Sequence, residues 1–264
     1  MRYFMTIVAF SLLSGCGVSE SPSEVMAPTG TLRAVFLGGN PVQGRLDSET
    51  GTATGTVPDL VERLAGQLGV SYTLLPAENA RAVMDRLIDG EADLGFLAYS
   101  ESRALEVDYG AAYLVMFSSY LVGANSSFET SADVDRSGIS VGAVRGQSQE
   151  LFVSSQLRNA QVRVFDTVPS QTEFEMLLAS GEVDAFAINR QRALDAEEAS
   201  ASLLRALSDS FMEVDQAFVV PKGDFGKLEI IEEFVAEALA TGFVRASIER
   251  AQLRSVDVPS GRER

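Results

Sequence analysis

Apolar residues along the first hundred positions after residue 30 alternate between two periods, and glycine-bearing polar breaks separate the blocks. "TLRAVFLGG" (31–39) is a short apolar run closed by two glycines and predicts a strand. A polar, glycine-rich loop with Asn40, Pro41 and Gln43 follows and continues to Gly55. "PDLVERLAGQLG" then places Leu60, Val61, Leu64 and Leu68 on one helical face, with Gly69 as a natural stop. "VSYTLLP" reads as the next strand. A second helix over about 78–89 turns Val83, Leu87 and Ile88 inward, and "ADLGFLA" forms a third strand. This βαβαβ order predicts a mostly parallel sheet covered by helices.

The same order restarts downstream. "GISVGAV" predicts a strand, "GQSQELFVSSQLR" a loop entering a helix, "AQVRVFD" a strand, "SQTEFEMLLASG" a helix and "VDAFAI" a strand. Two similar α/β lobes with mixed sheets, rather than one continuous sheet, are therefore expected. The extended runs "YLVMFSSYLVGA" and "MEVDQAFVVPKG" flank the second half and would act as two crossover segments. Lobe 1 would comprise 31–119 and a return over 213–255, lobe 2 would comprise 120–212, and 256–264 would be a tail. Helices are expected near 192–207, 224–240 and 241–253. Ligands of open α/β sheets bind beyond the carboxyl ends of strands, so facing lobes would share one cleft.

The N-terminus sets the compartment. "MRYFMTIVAFSLLSGCGVSE" carries Arg2 and then an apolar stretch from Tyr3 to Leu13, too short for a permanent span but suited to a signal peptide. Leu13-Ser14-Gly15-Cys16 resembles the lipobox of bacterial lipoproteins, which implies a leader over 1–15, lipidation at Cys16 and a periplasmic protein anchored to a membrane. Gly17, in place of an aspartate, favours the outer membrane. Residues 16–30 read as a flexible tether rich in Ser, Pro and Glu. Cys16 is the only cysteine, so no internal disulfide is possible. Loss of Arg2 with the leader takes the basic count from 21 to 20 against 37 acidic residues, and the net charge from −16 to −17. Such a chain, without a basic stripe, is not a nucleic-acid binder. An anionic ligand would need a local arginine working against the global field.

Candidate binding residues cluster at strand ends. Arg103 stands just past "ADLGFLA", with Tyr99, Ser100 and Ser102 before it. Ser100 fits a helix N-cap, which would put Arg103 at the third helical position, where the dipole does not favour a cation. Its guanidinium can hold a carboxylate through two parallel hydrogen bonds, or pair with a neighbouring acid. Gly146, Gln147 and Ser148 occupy the equivalent place in the second half, as a turn and N-cap or as an anion-binding helix start. Asn189 and Arg190 end the strand "VDAFAI"; the amide can orient a polar head group, and the arginine can hold a second acidic group or a surface carboxylate. Asn40 and Gln43 are equally polar and equally open. Tyr109, Tyr113 and Phe117 supply aromatic area, with packing the simpler role for Tyr109 and Phe117. The chain has no histidine, which excludes Ser/His/Asp catalysis and a His-containing zinc site. No acidic cluster has metal-ligand spacing, so no metal and no cofactor is expected.

Four stretches carry a family likeness: "GTLRAVF", "GTVPDLVERLAGQLGV", "GEADLGFLAYSESRALEVDYGAAYLV" and "SGISVGAVRGQS". The chain resembles the type 2 periplasmic substrate-binding proteins, in the polar amino-acid-binding branch associated with ABC importers, over about residues 30–253. The resemblance implies that Arg103 clamps a ligand carboxylate, that Ser100 adds a hydroxyl, and that Gly146, Gln147 and Ser148 donate hydrogen bonds from the second lobe. Asn189 falls where an aspartate usually meets the ligand's α-ammonium, so the ligand lacks an α-amino group or is an amino acid held less tightly. "YGAAY" and Ala98 also depart from the family pattern. The implied function is capture without turnover by a monomer, with a small carboxylate or amino-acid-like ligand and an ABC permease as partners. A dehydratase-like enzyme on the same fold and a ligand-presenting sensor component are the rival readings.

Overall fold

A computed structural model of the protein describes residues 20–47 and 49–259. The leader and Cys16 lie outside the described residues. Thr31–Leu37 forms β1, Thr56–Leu68 forms α2, Ser71–Ala77 forms β4, Ala80–Ile88 forms α3 and Leu94–Ala98 forms β5, with a small hairpin of β2 (Arg45–Leu46) and β3 (Ala53–Thr54) inserted after β1. Helix α2 stops at Gly69, which adopts φ +68° and donates its N–H back to Ala65 and Gly66 carbonyls. Helix α3 starts where the Asn79 side chain accepts the Ala82 N–H. Its inward face is Val83, Met84 and Leu87. Ile88, expected inside, is 50% exposed, because one further 100° step carries it off the buried stripe.

The second half repeats the plan with β7 (Ser140–Val144), α4 (Ser148–Gln156), β8 (Gln161–Phe165), α5 (Gln171–Ala179) and β9 (Ala185–Asn189). Strands β4-β1-β5 and β8-β7-β9 are each parallel and share one internal order. The two units also share an anchoring device. Asp93, just before β5, accepts the Arg33 N–H at 2.8 Å, and Asp184, just before β9, accepts the Ser140 N–H at 2.8 Å.

The lobes are not separate sheets. The 17-residue strand β6 (Val107–Gly123) pairs with β11 (Met212–Pro221) along lobe 1 and with β9 in lobe 2. The ladder thus runs unbroken as β4-β1-β5-β11-β6-β9-β7-β8. The expected pair of crossovers exists, but sharing a strand satisfies the backbone at the junction where two sheet edges would leave it open. The apolar cores stay distinct. One packs Leu60, Phe96, Phe218 and Phe234 in lobe 1, and another packs Val141, Val153 and Ala185 in lobe 2.

Three other expectations change. Residues 192–207 do not form one helix: α6 spans Arg190–Ala199, Ala201 and Ser202 take positive φ, and β10 (Leu204–Ala206) joins the edge of β6. The C-terminal helices are α7 (Phe225–Ala240) and α8 (Phe243–Arg250), followed by β12 (Val256–Asp257) on β6, so the tail begins with a strand. The tether reading fails for its second half. Ser21 and Glu24 form a capping box around α1 (Pro22–Met26), and Met26 is fully buried in the lobe 1 core with Ile231 and Phe234.

Gly142 marks a close approach of strand and ring: a Cβ there would lie 2.4 Å from the fully buried Phe186 ring. Gly142→Ala is expected to destabilise by about 1–3 kcal/mol through overpacking, read as a lower urea midpoint at unchanged m-value. Stability against pH should follow the carboxylates. Backbone N–H groups of Ala160, Asn159 and Arg158 hold Asp135 below its ordinary value, and the hydroxyl and N–H of Ser170 do the same for Glu173. Groups depressed in the folded state stabilise above the unfolded pKa and lose that contribution as pH falls through the folded one. The melting temperature should therefore be flat from about pH 5.5 to 8, where no histidine titrates, and fall below about pH 4. A step near pH 6.5 would contradict this.

Candidate ligand cleft between the lobes

Strands β5 and β9 run towards each other from the two lobes. Ala98 ends level with Leu114 of β6 through Gln216, and Asn189 ends opposite Ser118, so both strands open onto one cleft. Beyond β5, Arg103 opens a single 3-10 turn, Arg103–Leu105. The Ser100 hydroxyl bonds to Ser102 at 2.9 Å instead of capping a helix. Arg103 is only 6% exposed. It donates from Nη1 to the Ala98 carbonyl at 2.9 Å and from Nη2 across the cleft to the Gly146 carbonyl at 2.7 Å. The Tyr109 hydroxyl donates to the same Ala98 carbonyl at 2.9 Å. Burial raises the pKa of that hydroxyl, against the pull of the neighbouring guanidinium. Tyr99 packs edge-on against Tyr109 and is 43% exposed, while Tyr113 belongs to the lobe 1 core.

From lobe 2, Gly146 turns with φ +69°, which only glycine adopts without strain. Gln147 stands at the N-cap of α4 and Ser148 is its first residue, and both side chains line the cleft. Asn189 caps α6, its Oδ1 accepting the Arg192 N–H at 2.8 Å, and it is buried against the cleft. Asn40 also lines the wall, its Oδ1 taking the Val42 N–H at 3.1 Å in a local turn.

The structure thus gathers Asn40, Arg103, Gln147, Ser148 and Asn189, with Gly146 bonded to Arg103. Tyr99, Ser100 and Arg190 fall outside that lining. Arg190 turns away and donates to the Ser208 carbonyl. Its place is taken by Arg192, two residues and about 200° further round α6, which lines the cleft and donates across it to the Gly39 carbonyl. Desolvation lowers the pKa of Arg192, Asp195 opposes this, and Arg45 adds to it. The signal that singled out Arg103 applied here too: a cation in the first turn of a helix is disfavoured by the dipole and calls for another reason.

Buried amides underlie the cleft: Gln149 and Gln216, which alternation patterns do not flag, line it, and Gln43 lies fully buried beside them. Gln43 accepts the Leu37 N–H at 2.8 Å and donates to the Phe96 carbonyl at 3.1 Å and to Gln216 at 3.3 Å. Gln149 donates to Ser118 at 2.8 Å. Gln43 thus ties β1 to β5 and β11 within lobe 1, and Gln149 ties α4 to β6. The enclosed space is about 80 Å³, several times the roughly 10–15 Å³ that one water occupies on this measure. That suits a ligand of few atoms. Among the described residues no group of three or more His, Cys, Asp or Glu could hold a metal ion, and no helix is long and apolar enough to cross a membrane.

Known proteins share this plan. L-cystine-binding protein TcyJ of Escherichia coli is 24% identical over 253 residues, covering 93% of each chain. A Streptococcus pneumoniae amino acid ABC transporter substrate-binding protein bound to L-arginine matches with TM-score 0.72 and 20% identity, over 89% of this chain and 100% of its own. An ancestral amino acid-binding protein described as a precursor of cyclohexadienyl dehydratase matches with TM-score 0.73 at 20% identity, over 89% and 100%. These structures establish a shared two-lobed fold. The model of the bacterial extracellular solute-binding proteins, family 3, matches residues 36–250, both lobes and the cleft between them, and the chain belongs to that family.

Proposed function

We propose that the protein captures a small carboxylate or amino-acid-like solute between its lobes and passes it to an ABC-type permease. The observation that carries this reading is Arg103, a buried guanidinium whose bonds go to one carbonyl of each lobe. A solute carboxylate entering the open cleft replaces the cross-cleft carbonyl with a charged acceptor, which makes the hydrogen bonds roughly twice as strong. The second lobe then closes, with Gln147 and Ser148 supplying donors, and water leaves the pair. One chain provides both walls, so a monomer suffices.

Capture without turnover fits the groups present. Among the described residues the one acid lining the cleft, Glu78, is exposed at its rim, and an exposed carboxylate lacks the burial that tunes a general acid. Lipidation at Cys16 would hold the body at a membrane surface, with the outer membrane favoured by Gly17. The test is a thermal-shift screen of the purified protein, with residues 20–30 retained because Met26 is part of the core. It compares L-amino acids with the same acids lacking the amino group. A shift with carboxylates supports the reading; shifts confined to uncharged solutes would sink it.

A further inference from the structure

We propose that the solute carries two acidic groups, one for Arg103 and one for Arg192, so that this cleft selects small dicarboxylates. The inference rests on the carboxylate-capture reading and names its substrate class. The two arginines come from opposite lobes and mirror each other. Arg103 of lobe 1 reaches the Gly146 carbonyl of lobe 2, and Arg192 of lobe 2 reaches the Gly39 carbonyl of lobe 1. Both line the same enclosed space, so each offers a cation to the solute in exchange for a neutral acceptor.

The surrounding charges do not cancel the second cation. Asp195, the acid that acts on Arg192, already accepts from Arg45 at 2.9 Å, from Gln191 at 2.8 Å and from Arg254 at 3.3 Å. Three arginines therefore surround one carboxylate, and Arg254 also pairs with Glu198 at 3.2 Å. Glu78 is at the solvent rim. Asn189 reinforces the sign. Its Oδ1 is engaged by the α6 cap, so its amide N–H groups are the donors left for a ligand. Such a wall attracts a second oxyanion and repels a cationic side chain.

Isothermal titration of the full protein against glutarate, L-glutamate, butyrate and L-lysine tests this, with Arg192→Met, Arg192→Lys and Arg103→Ala alongside. Glutarate or L-glutamate should bind at least about tenfold more tightly than butyrate, the worth of one charged hydrogen-bonded contact, and L-lysine most weakly. Arg192→Met should erase that preference, bringing glutarate and butyrate to within about threefold of each other whatever their absolute affinity, and Arg192→Lys should restore part of it. Arg103→Ala should weaken all carboxylates together. Equal binding of butyrate and glutarate to the unmodified protein, or a preference that survives Arg192→Met, overturns the two-acid proposal and leaves the carboxylate reading standing. Failure of every carboxylate to bind, with a folded protein by circular dichroism, overturns both.

Discussion

Arg103→Ala is expected to weaken carboxylate binding by about a hundredfold, with a melting-temperature loss of only a few degrees. The affinity loss reflects a fully desolvated, hydrogen-bonded charge pair, for which truncation costs about 2–5 kcal/mol. The stability loss is smaller because the acceptors are not all abandoned. The Ala98 carbonyl keeps the Tyr109 hydroxyl, and only the Gly146 carbonyl loses its cross-cleft donor, at about 1–2 kcal/mol. Arg103→Lys should fall between, since a point charge replaces the planar fork. Calorimetric titration and a melting curve on the same samples separate the two effects. An alanine variant that binds within about threefold of the unmodified protein would refute the clamp.

Asp93→Ala is expected to be the most damaging substitution away from the cleft. Asp93 is almost wholly buried and takes three donors from one residue: the Arg33 N–H at 2.8 Å, Nε at 3.0 Å and Nη2 at 2.6 Å. Removing it strands a half-buried guanidinium and a strand N–H together, a loss of about 3–5 kcal/mol. For a chain of this size that is roughly a 10 °C drop in melting temperature. Asp184 offers an internal control. It repeats the backbone contact to Ser140 without an ion pair among the described residues, so Asp184→Ala should cost about 1 kcal/mol. Equal losses at the two positions would show that the ion pair adds nothing to the backbone anchor.

Much of the architecture was legible because periodicity reports one-sided burial. Strands β1, β5, β7 and β9 and helices α2 and α5 fall where apolar spacing and glycine stops put them. What the pattern could not report was pairing across sequence distance. Nothing local to "YLVMFSSYLVGA" says that one strand serves both sheets, since the partners β11 and β9 lie some seventy to a hundred residues away. Segment 20–30 failed differently. Its Ser-Pro-Ser-Glu run is a capping box, but composition masked it, and the burial of Met26 depends on a helix two hundred residues on. In the site, Arg103 was found because its charge contradicts its position. Gln149 and Gln216 were not, since a glutamine's burial leaves no mark in the chain. Arg190 was chosen over Arg192 because strand reasoning was carried past Asn189, where helical turning had already begun.

The shared strand has a mechanical consequence. Because β6 is bonded to β11 through lobe 1 and to β9 in lobe 2, a rotation of one lobe against the other can be absorbed as added twist in a single ribbon. No ladder bond need break. The ribbon then behaves as a torsion spring of low stiffness, and the resistance to opening resides in side-chain bridges that include Arg103 to Gly146, Arg192 to Gly39, Arg45 to Asp195, and Arg254 to Asp195 and Glu198. Ionic strength, which leaves the ribbon untouched, would act on the exposed Arg45–Asp195 bridge and so set the rest angle of the hinge.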